Sequence, residues 1–340
     1  MKRIFFPAEW YPQSGIQIAW PHADTDWFNI LDETIVCYVA FCKEILKRQQ
    51  LIVVCNNKND VTKHFSSDEQ KNLLIAELRY NDTWARDHVG ISVFEDGKPA
   101  MIDFGFNGWG LKFAANHDNQ ITRKLFDKGT YDEKVKLINQ INFILEGGAI
   151  ESDGKGTLMT TSQCMLAPNR NQPMQKDEIE SFLKQTLGME RILWVNHGYL
   201  AGDDTDSHID TLARFCDEET IAYVQCDDPS DEHFEELQKM ESELMNFKTL
   251  DGKPYRLIPL PMADAVFHQG YRLPATYANF LIINDAVLTP FYNSSKDSLT
   301  EQQLQKAFPD REIIGIDCRM LIKQHGSLHC VTMQLPKGFI

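Results

Sequence analysis

The stretch that decides the fold runs from residue 143 to residue 195. It reads FILEGGAIESDGKGTLMTT at 143–161, KDEIESFLKQTLG at 176–188 and RILWV at 191–195. The first segment has two β-like runs around a Ser-Asp-Gly turn, the second has the apolar spacing of a helix, and the third is a short apolar strand. Together they predict one unit made of a hairpin, a helix and a strand.

Other stretches of the chain repeat this order of elements. Two clear copies are TLARFCDEETIAYVQC, DEHFEELQKMESELMNF and YRLIPLP within 211–261, and NFLIINDAVLTPFY, LTEQQLQKAF and REIIGI within 279–316. Weaker copies begin at VGISVFEDGKPAMIDFGF and in the N-terminal segment, where helix-like ETIVCYVAFCKEILKRQ precedes LIVVC. Five such units would stack or close into a ring, because no single unit can bury its own apolar face. We therefore expect one α/β domain over residues 1–340.

The charge of the chain limits its partners. Its 340 residues include 34 Lys and Arg against 49 Asp and Glu, a net charge of −15. A field of this sign repels phosphate backbones and favours the approach of cations, so a small basic substrate is expected and nucleic acid is not. The N-terminus lacks the apolar stretch of a signal peptide and no apolar run reaches membrane-span length, so we expect a cytoplasmic protein with no membrane partner.

Metal and cofactor motifs are not found. The eight cysteines contain no C-x-x-C pair and no Cys/His cluster, which argues against a zinc site or a disulfide framework. The acidic run DDTDSHID (203–210) invites a calcium interpretation, but His208 and Ile209 occupy the positions where an EF-hand loop needs Asp or Asn and then Gly. Neither a dinucleotide-binding glycine motif nor a P-loop occurs, so neither of these nucleotide-binding motifs supports a cofactor.

Reactive side chains follow the ends of several predicted strands. They are Trp84 and Asp87 after LLIAELRY, Glu146 after NFIL, His208 and Asp210 after RILWV, and Cys330 after REIIGI. Strand ends that face a common centre are where a ring-like α/β fold would place its chemistry. Taken singly, each has an ordinary explanation, such as a surface ion pair for Asp87 with Arg86 or a buried thiol for Cys330.

In combination, these residues suit a site that holds a planar cation and attacks its central carbon. Asp87 and Asp210 can accept the forked N–H groups of a guanidinium. Glu146 can hold the imidazole of His208, and His208 can shuttle protons for Cys330 as the nucleophile.

An ordered set of motifs also supports a family assignment. The motifs are FPAEWYPQSGIQIAWPHADTDW, NDTWARD, LEGGAIESDGKGTLMTT, CMLAPNRN, DDTDSHID and HGSLHCVTMQLP. Together they resemble the agmatine deiminase and bacterial-type peptidyl-arginine deiminase family of guanidine-modifying enzymes, from about the seventh residue to the C-terminus. The resemblance implies a pentein-like, five-bladed α/β-propeller with pseudo-fivefold symmetry. It also implies hydrolysis of a guanidine to a urea with release of ammonia, without metal or organic cofactor.

The resemblance also assigns roles to individual residues. By position in the motifs, they are Cys330 as nucleophile, His208 as general acid and base, Asp87 and Asp210 as guanidinium ligands, Trp84 as a pocket wall and Glu146 as the partner of His208. The expected reaction is agmatine to N-carbamoylputrescine, a step of polyamine biosynthesis.

One departure from the family pattern and several alternatives bear on the substrate. Agmatine deiminases typically carry a run of glycines where this chain has His325, Gly326 and Ser327, and side chains there would narrow or re-polarise the pocket. Agmatine is favoured over arginine because neither Arg86 nor Arg170 looks like a dedicated carboxylate receptor. Deimination of arginine or peptidyl-arginine, amidino transfer and non-catalytic guanidine binding remain alternatives. A homodimer is expected only from the general frequency of twofold assemblies.

Overall fold

The computed structural model describes residues 3–340 as a mixed α/β fold. The strands of this part of the chain are β1 Ile4–Phe5, β2 Gln13–Ala19, β3 Gln50–Cys55, β4 Leu73–Glu77, β5 Ile91–Glu95, β6 Lys98–Gly105, β7 Lys136–Ile144, β8 Ile150–Ser152, β9 Thr157–Thr161, β10 Arg191–Val195, β11 Ala213–Asp217, β12 Thr220–Gln225, β13 Arg256–Pro261, β14 Phe267–His268, β15 Tyr271–Arg272, β16 Leu281–Ile283, β17 Ala286–Phe291, β18 Glu312–Asp317 and β19 Met333–Pro336. The helices are α1 Leu31–Leu46, α2 Lys58–Thr62, α3 Ala85–His88, α4 Gly108–Leu111, α5 Ile121–Asp127, α6 Ser162–Met165, α7 Lys176–Leu187, α8 Phe234–Asn246 and α9 Asp297–Ala307. Short 3-10 helices lie at Phe28–Ile30, Glu69–Asn72, Asp118–Gln120, Gly147–Ala149, Ile209–Thr211 and Leu321–Gln324.

Five sheets of three or four strands carry the repeated unit. The sheets are β1-β5-β6-β7, β10-β9-β8, β11-β12-β13, β16-β17-β18 and β19-β2-β3-β4, with β14 and β15 forming a separate hairpin. In four of the five, two strands pair antiparallel, a helix follows, and the next strand returns parallel to the second. The predicted order of hairpin, helix and strand is therefore confirmed in the three clear copies and in the copy that begins near residue 89.

The fifth sheet is built from both ends of the chain. Strand β19 pairs antiparallel with β2, with Met333 opposite Gln17, and β2 then pairs parallel with β3 after helix α1. The C-terminal strand thus supplies the antiparallel partner that the N-terminal unit lacks. This pairing places the segment before β19, which includes Cys330, against residues from the beginning of the chain.

Local sequence explains the structure of the unit at residues 143–195. Gly154 has a φ of +67° in the turn between β8 and β9, and the Asp153 carboxylate accepts backbone N–H groups from residues 155 and 157. Helix α7 begins with a capping box between Gln175 and Glu178 and ends at Gly188, whose φ of +71° suits a left-handed cap.

Apolar side chains fill three clusters beneath these sheets. The largest cluster combines the apolar face of α1 with strands from the sheets that contain β3, β12 and β17, and it includes Trp20 and Trp27. All eight cysteines are buried free thiols. Across residues 3–340, the helices are too short or too polar to cross a bilayer.

Candidate active site

A cavity with an empty volume of about 460 Å³ opens between the loop before α3 and the segment before β19. Its lining residues are Asp26, Asp82, Trp84, Asp87, Trp109, Phe113, Asp204, Thr205, Gln324, His325, Gly326 and Cys330. Three of the six predicted site residues, Trp84, Asp87 and Cys330, therefore line one cavity. The other three are buried and are placed by their contacts with Asp87, Gly148 and each other.

Asp87 lies on the short helix α3 with both oxygens held. Oδ2 accepts a hydrogen bond of 3.0 Å from Nε1 of Trp109, and Oδ1 accepts one of 2.9 Å from the backbone N–H of Gly148. Burial and the negative charges of Asp210 and Glu146 nevertheless raise the pKa of Asp87 well above its usual value. An arriving cation would reverse this balance and favour the ionised carboxylate.

Asp210 contrasts with Asp87 because a histidine holds it. Its Oδ2 is 2.7 Å from Nδ1 of His329, whereas its buried Oδ1 has no hydrogen-bond partner among residues 3–340. Burial raises the pKa of Asp210, but the hydrogen bond and charge of His329 and the charge of Arg214 bring that pKa below its usual value. One oxygen of an ionised carboxylate is thus left available.

Gly148 shows that the predicted groups converge. A Cβ atom at this position would lie 2.6 Å from Nδ1 of His208 and 3.0 Å from both Asp210 Oδ2 and Asp87 Oδ1. The Nδ1 atom of His208 is 3.7 Å from Oδ1 of Asp87, while its Nε2 has no hydrogen-bond partner within the described part of the chain. Burial lowers the pKa of His208 to about 3, so the imidazole is neutral without a ligand.

Glu146 lies beside His208 but makes no hydrogen bond to it. The distance from Glu146 Oε2 to His208 Nε2 is 4.0 Å. The carboxylate instead accepts from Nε of Arg170 at 3.1 Å on each oxygen, and Arg170 also bonds Asp206 and the carbonyl of Thr205. Glu146 therefore lies near His208, as expected, but its carboxylate forms its hydrogen bonds with Arg170.

Cys330 is 7% exposed at the wall of the cavity. Its Sγ is 3.3 Å from Oδ1 of Asn279, which also accepts from the backbone N–H groups of His329 and Cys330. Burial and the charges of Asp210 and Asp87 raise the pKa of the thiol well above its usual value. A cation placed between the aspartates would offset these charges and favour the thiolate.

Comparisons with known proteins show the family of this chain. A family model described as Porphyromonas-type peptidyl-arginine deiminase matches residues 5–336. The chain belongs to this family. It is 55% identical to the chain in the crystal structure of the "Putative Arginine Deiminase" from Porphyromonas gingivalis, with a TM-score of 0.96 and coverage of 99% of this chain and 100% of that one.

Agmatine deiminases are also similar to this member of the peptidyl-arginine deiminase family. The substrate-bound agmatine deiminase of C. jejuni, a variant with serine in place of a cysteine, is 38% identical, with a TM-score of 0.92 over 100% of this chain and 98% of that chain. The agmatine deiminase of Pseudomonas aeruginosa is 28% identical over 97% of this chain and 95% of its own length.

His325 and Ser327 differ in their position relative to the cavity. His325, with a φ of +67°, lines the cavity and its Nδ1 is 2.6 Å from the carbonyl of Gly202, whereas Ser327 is buried against the hydroxyl of Tyr292. Between them, Gly326 packs so close to the ring of Trp84 that no Cβ fits there. The predicted change in pocket polarity therefore applies to His325 and not to Ser327.

Neither of the two arginines near the motifs lines the cavity. Arg170 is committed to Glu146, Asp206 and Thr205. Arg86 points to the other side of α3, where it bonds Gln334 at 2.6 Å and lies 3.8 Å from Glu9. This agrees with the expectation that neither is a carboxylate receptor.

Among residues 3–340, two groups of side chains have the spacing of metal ligands, and an arginine forms an ion pair with each group. They are Glu146 with Cys164 and His208, and Glu9 with Glu151 and His329. Arg170 pairs with the first group and Arg214 with both glutamates of the second. A guanidinium already pairs with the carboxylates of each group, so neither is assigned to a metal ion.

Sequence reasoning missed the residues that position the reactive groups. The residues that hydrogen-bond to the reactive groups are Trp109, Gly148, Asn279, His329 and Arg170. Gly148 and His329 lay within the Glu-Gly-Gly and His-Cys motifs, so their motif membership was the available signal. Trp109 and Asn279 lie outside the six family motifs, and only the fold brings them to the site.

Proposed function

We propose that this protein hydrolyses the guanidinium group of agmatine, giving N-carbamoylputrescine and ammonia. The carrying observation is a cavity that combines a cysteine thiol with four aspartates, Asp26, Asp82, Asp87 and Asp204, while no Lys or Arg is among its lining residues. Such a wall suits a dication and disfavours an anionic group.

Binding is expected to place the guanidinium between Asp87 and Asp210. Asp87 offers oxygens already fixed by Trp109 and Gly148, and Asp210 offers its unpaired Oδ1. Fixed carboxylates are matched to the planar fork of N–H groups, so the cation is oriented as well as neutralised. Trp84 and Phe113 contribute apolar wall beside the aliphatic chain.

The reaction proceeds in two stages at the guanidinium carbon. His208 takes the thiol proton of Cys330, and the resulting thiolate attacks this carbon. One amino group then leaves as ammonia with that proton from His208, and an amidino-thioether remains on the enzyme. His208 then removes a proton from water, which attacks the same carbon, and the thiol leaves. Glu146 stands 4.0 Å from His208 and would stabilise the imidazolium that forms within each stage, when His208 takes a proton from the thiol or from water.

The five sheets suit a pentein-like propeller. We propose that they form five blades of one domain over residues 1–340, because four share the same strand pattern and the fifth is completed by β19. This arrangement would place the segments after several strands at a common centre, where the site residues lie.

Arginine is the second candidate substrate, because the P. gingivalis structure named an arginine deiminase is 55% identical to this chain. Its carboxylate would have to lie near Asp82 and Asp204, and burial raises the pKa of each of these to about 6. At neutral pH both are largely ionised and repel an anion. Lys112, the nearby cation, is engaged with Asp206 and the carbonyl of Asp204.

Steady-state kinetics on agmatine, free arginine and a peptidyl-arginine test the proposal. We expect kcat/KM for agmatine to exceed that for arginine at least tenfold, worth about 1.4 kcal/mol of differential transition-state binding. Equal or reversed values would assign the cavity to a guanidine that carries a carboxylate or a peptide. The Asp204→Asn variant tests the physical cause, because removing this negative charge should lower the preference for agmatine over arginine.

A further inference from the structure

His329, the neighbour of the nucleophile, lies between two buried carboxylates. Its Nδ1 is 2.7 Å from Oδ2 of Asp210, and its Nε2 is 2.7 Å from Oε2 of Glu9. A carboxylate oxygen accepts hydrogen bonds and cannot donate them unless it is protonated. Two protons must therefore be shared among these three groups, one for each hydrogen bond.

The surrounding charges indicate where these protons lie. Burial raises the pKa of Glu9, but Arg214, His329 and Arg86 together bring it well below its usual value, and the pKa of Asp210 is lowered in the same way. Burial and the guanidinium groups of Arg214 and Arg86 lower the pKa of His329. The two contacts of 2.7 Å decide the balance, because an unprotonated ring nitrogen would face a carboxylate oxygen lone pair to lone pair.

The far end of this chain of groups is itself held firmly. Oε2 of Glu9 also accepts from Nη2 of Arg214 at 2.7 Å, and its Oε1 accepts from the backbone N–H of Ile282 at 2.7 Å. Arg214 is fully buried, pairs with Glu151 and donates to the carbonyl of Phe280 at 2.6 Å. Glu9 therefore cannot turn away from His329 without breaking several buried hydrogen bonds.

We propose that His329 is a positioning residue of the deiminase reaction. As an imidazolium held between Glu9 and Asp210, it fixes one oxygen of Asp210 and leaves the other oxygen free and charged for the substrate cation. This inference rests on the proposed function, because it assigns Asp210 to the guanidinium. The free oxygen is Oδ1, which is buried and has no partner in the described part of the chain.

A second buried histidine provides a matched control. Nδ1 of His233 is 2.6 Å from Oδ1 of Asp231, but its Nε2 accepts a hydrogen bond of 2.7 Å from the backbone N–H of Ala201. Its two contacts therefore require one protonated and one unprotonated nitrogen. Like His329, its side chain is 1% exposed, and it does not line the cavity.

The first test measures the protonation of both histidines in the whole protein by ¹⁵N NMR of the imidazole nitrogens, with His329→Gln and His233→Gln used for assignment. We expect both nitrogens of His329 to be protonated from about pH 6 to about pH 8, and only Nδ1 of His233. In Glu9→Gln, whose side-chain amide can donate to Nε2, His329 should become neutral. A neutral His329 in the wild-type protein would overturn the proposal. This NMR measurement does not depend on catalytic activity.

The second test separates positioning from a purely structural role. Agmatine and N-carbamoylputrescine both carry the distal ammonium and differ at the group that Asp210 would bind. In a Cys330→Ser background, His329→Gln should weaken agmatine binding about 10–100-fold, the range seen when a group that orients a ligating side chain is removed. Binding of N-carbamoylputrescine should change less than about threefold, and His233→Gln should leave both affinities unchanged.

An equal loss of affinity for the two ligands in His329→Gln would overturn the proposal. If the Cys330→Ser protein bound no agmatine at all, the proposed function would fail, and the nitrogen shifts of the wild-type protein would still decide the charge of His329.

Discussion

Replacing Gly148 by alanine should damage the site through one added methyl group. The new Cβ would lie 2.6 Å from Nδ1 of His208 and 3.0 Å from oxygens of Asp210 and Asp87. Ordinary contact begins at 3.4 Å, so the imidazole would have to retreat by roughly 0.8 Å. The three groups cannot all move, because Asp87 is held by Trp109 and Asp210 by His329.

The expected loss follows from this displacement. A shift of about 1 Å in reacting groups can cost about 100-fold in rate, equivalent to about 2.7 kcal/mol at the transition state. Overpacking should also lower the free energy of unfolding by about 1–3 kcal/mol. Steady-state kinetics with agmatine and urea denaturation measure the two effects separately.

A second glycine distinguishes damage to the site from general overpacking. Gly315 in β18 packs against the ring of Phe291, away from the residues that line the cavity. Gly315→Ala should lose stability yet retain kcat/KM near the wild-type value. If Gly148→Ala stayed within about threefold of wild-type kcat/KM, the view of His208, Asp87 and Asp210 as one rigid set around Gly148 would be wrong.

Three other experiments probe separate parts of the site. Asp87→Asn and Asp210→Asn should each lower kcat/KM by the equivalent of about 3 kcal/mol, because one charge facing a buried guanidinium is lost, and near-normal kinetics would remove that residue from the binding site. Arg170→Met should lower the free energy of unfolding by about 3–5 kcal/mol, because it leaves the Glu146 carboxylate buried without its partner. Unchanged urea denaturation would show that the Arg170–Glu146 pair is not important for stability. Agmatine binding to Cys330→Ser should release protons at pH 6 and fewer at pH 8, because the pKa values of Asp82 and Asp204 are raised to about 6 and a cation favours their ionised forms. Calorimetry in buffers of different ionisation enthalpy measures this proton release. Proton uptake at pH 6 would contradict the prediction.

The repeated units could be predicted because their signals are local. The turn at Gly154, the spacing of apolar residues in α7 and the strand β10 all lie within about fifty residues, and each has its own sequence signature. The pairing of β19 with β2 joins segments more than 300 residues apart. No local pattern in either strand names its partner, so the completion of the N-terminal unit was visible only in the structure.

The candidate reactive groups could be named from motifs, and their hydrogen-bond partners could not. Cys330, His208 and Asp87 occupy positions that the family resemblance identifies. Glu146 was expected to hold His208, but the hydrogen bonds of its carboxylate go to Arg170, from a loop 24 residues later. A motif specifies which chemical groups are present, whereas the donor that reaches a buried carboxylate depends on how distant segments pack.

The most direct test of the proposed chemistry is the covalent state of Cys330 during turnover. Acid quenching of the wild-type protein with agmatine, followed by peptide mass spectrometry, should show the Cys330 peptide carrying the mass of agmatine less ammonia. Cys330→Ser should form neither this adduct nor N-carbamoylputrescine, while binding agmatine and unfolding as the wild-type protein does. Turnover of agmatine by Cys330→Ser, or an adduct on a different cysteine, would contradict the assignment of Cys330 as the nucleophile.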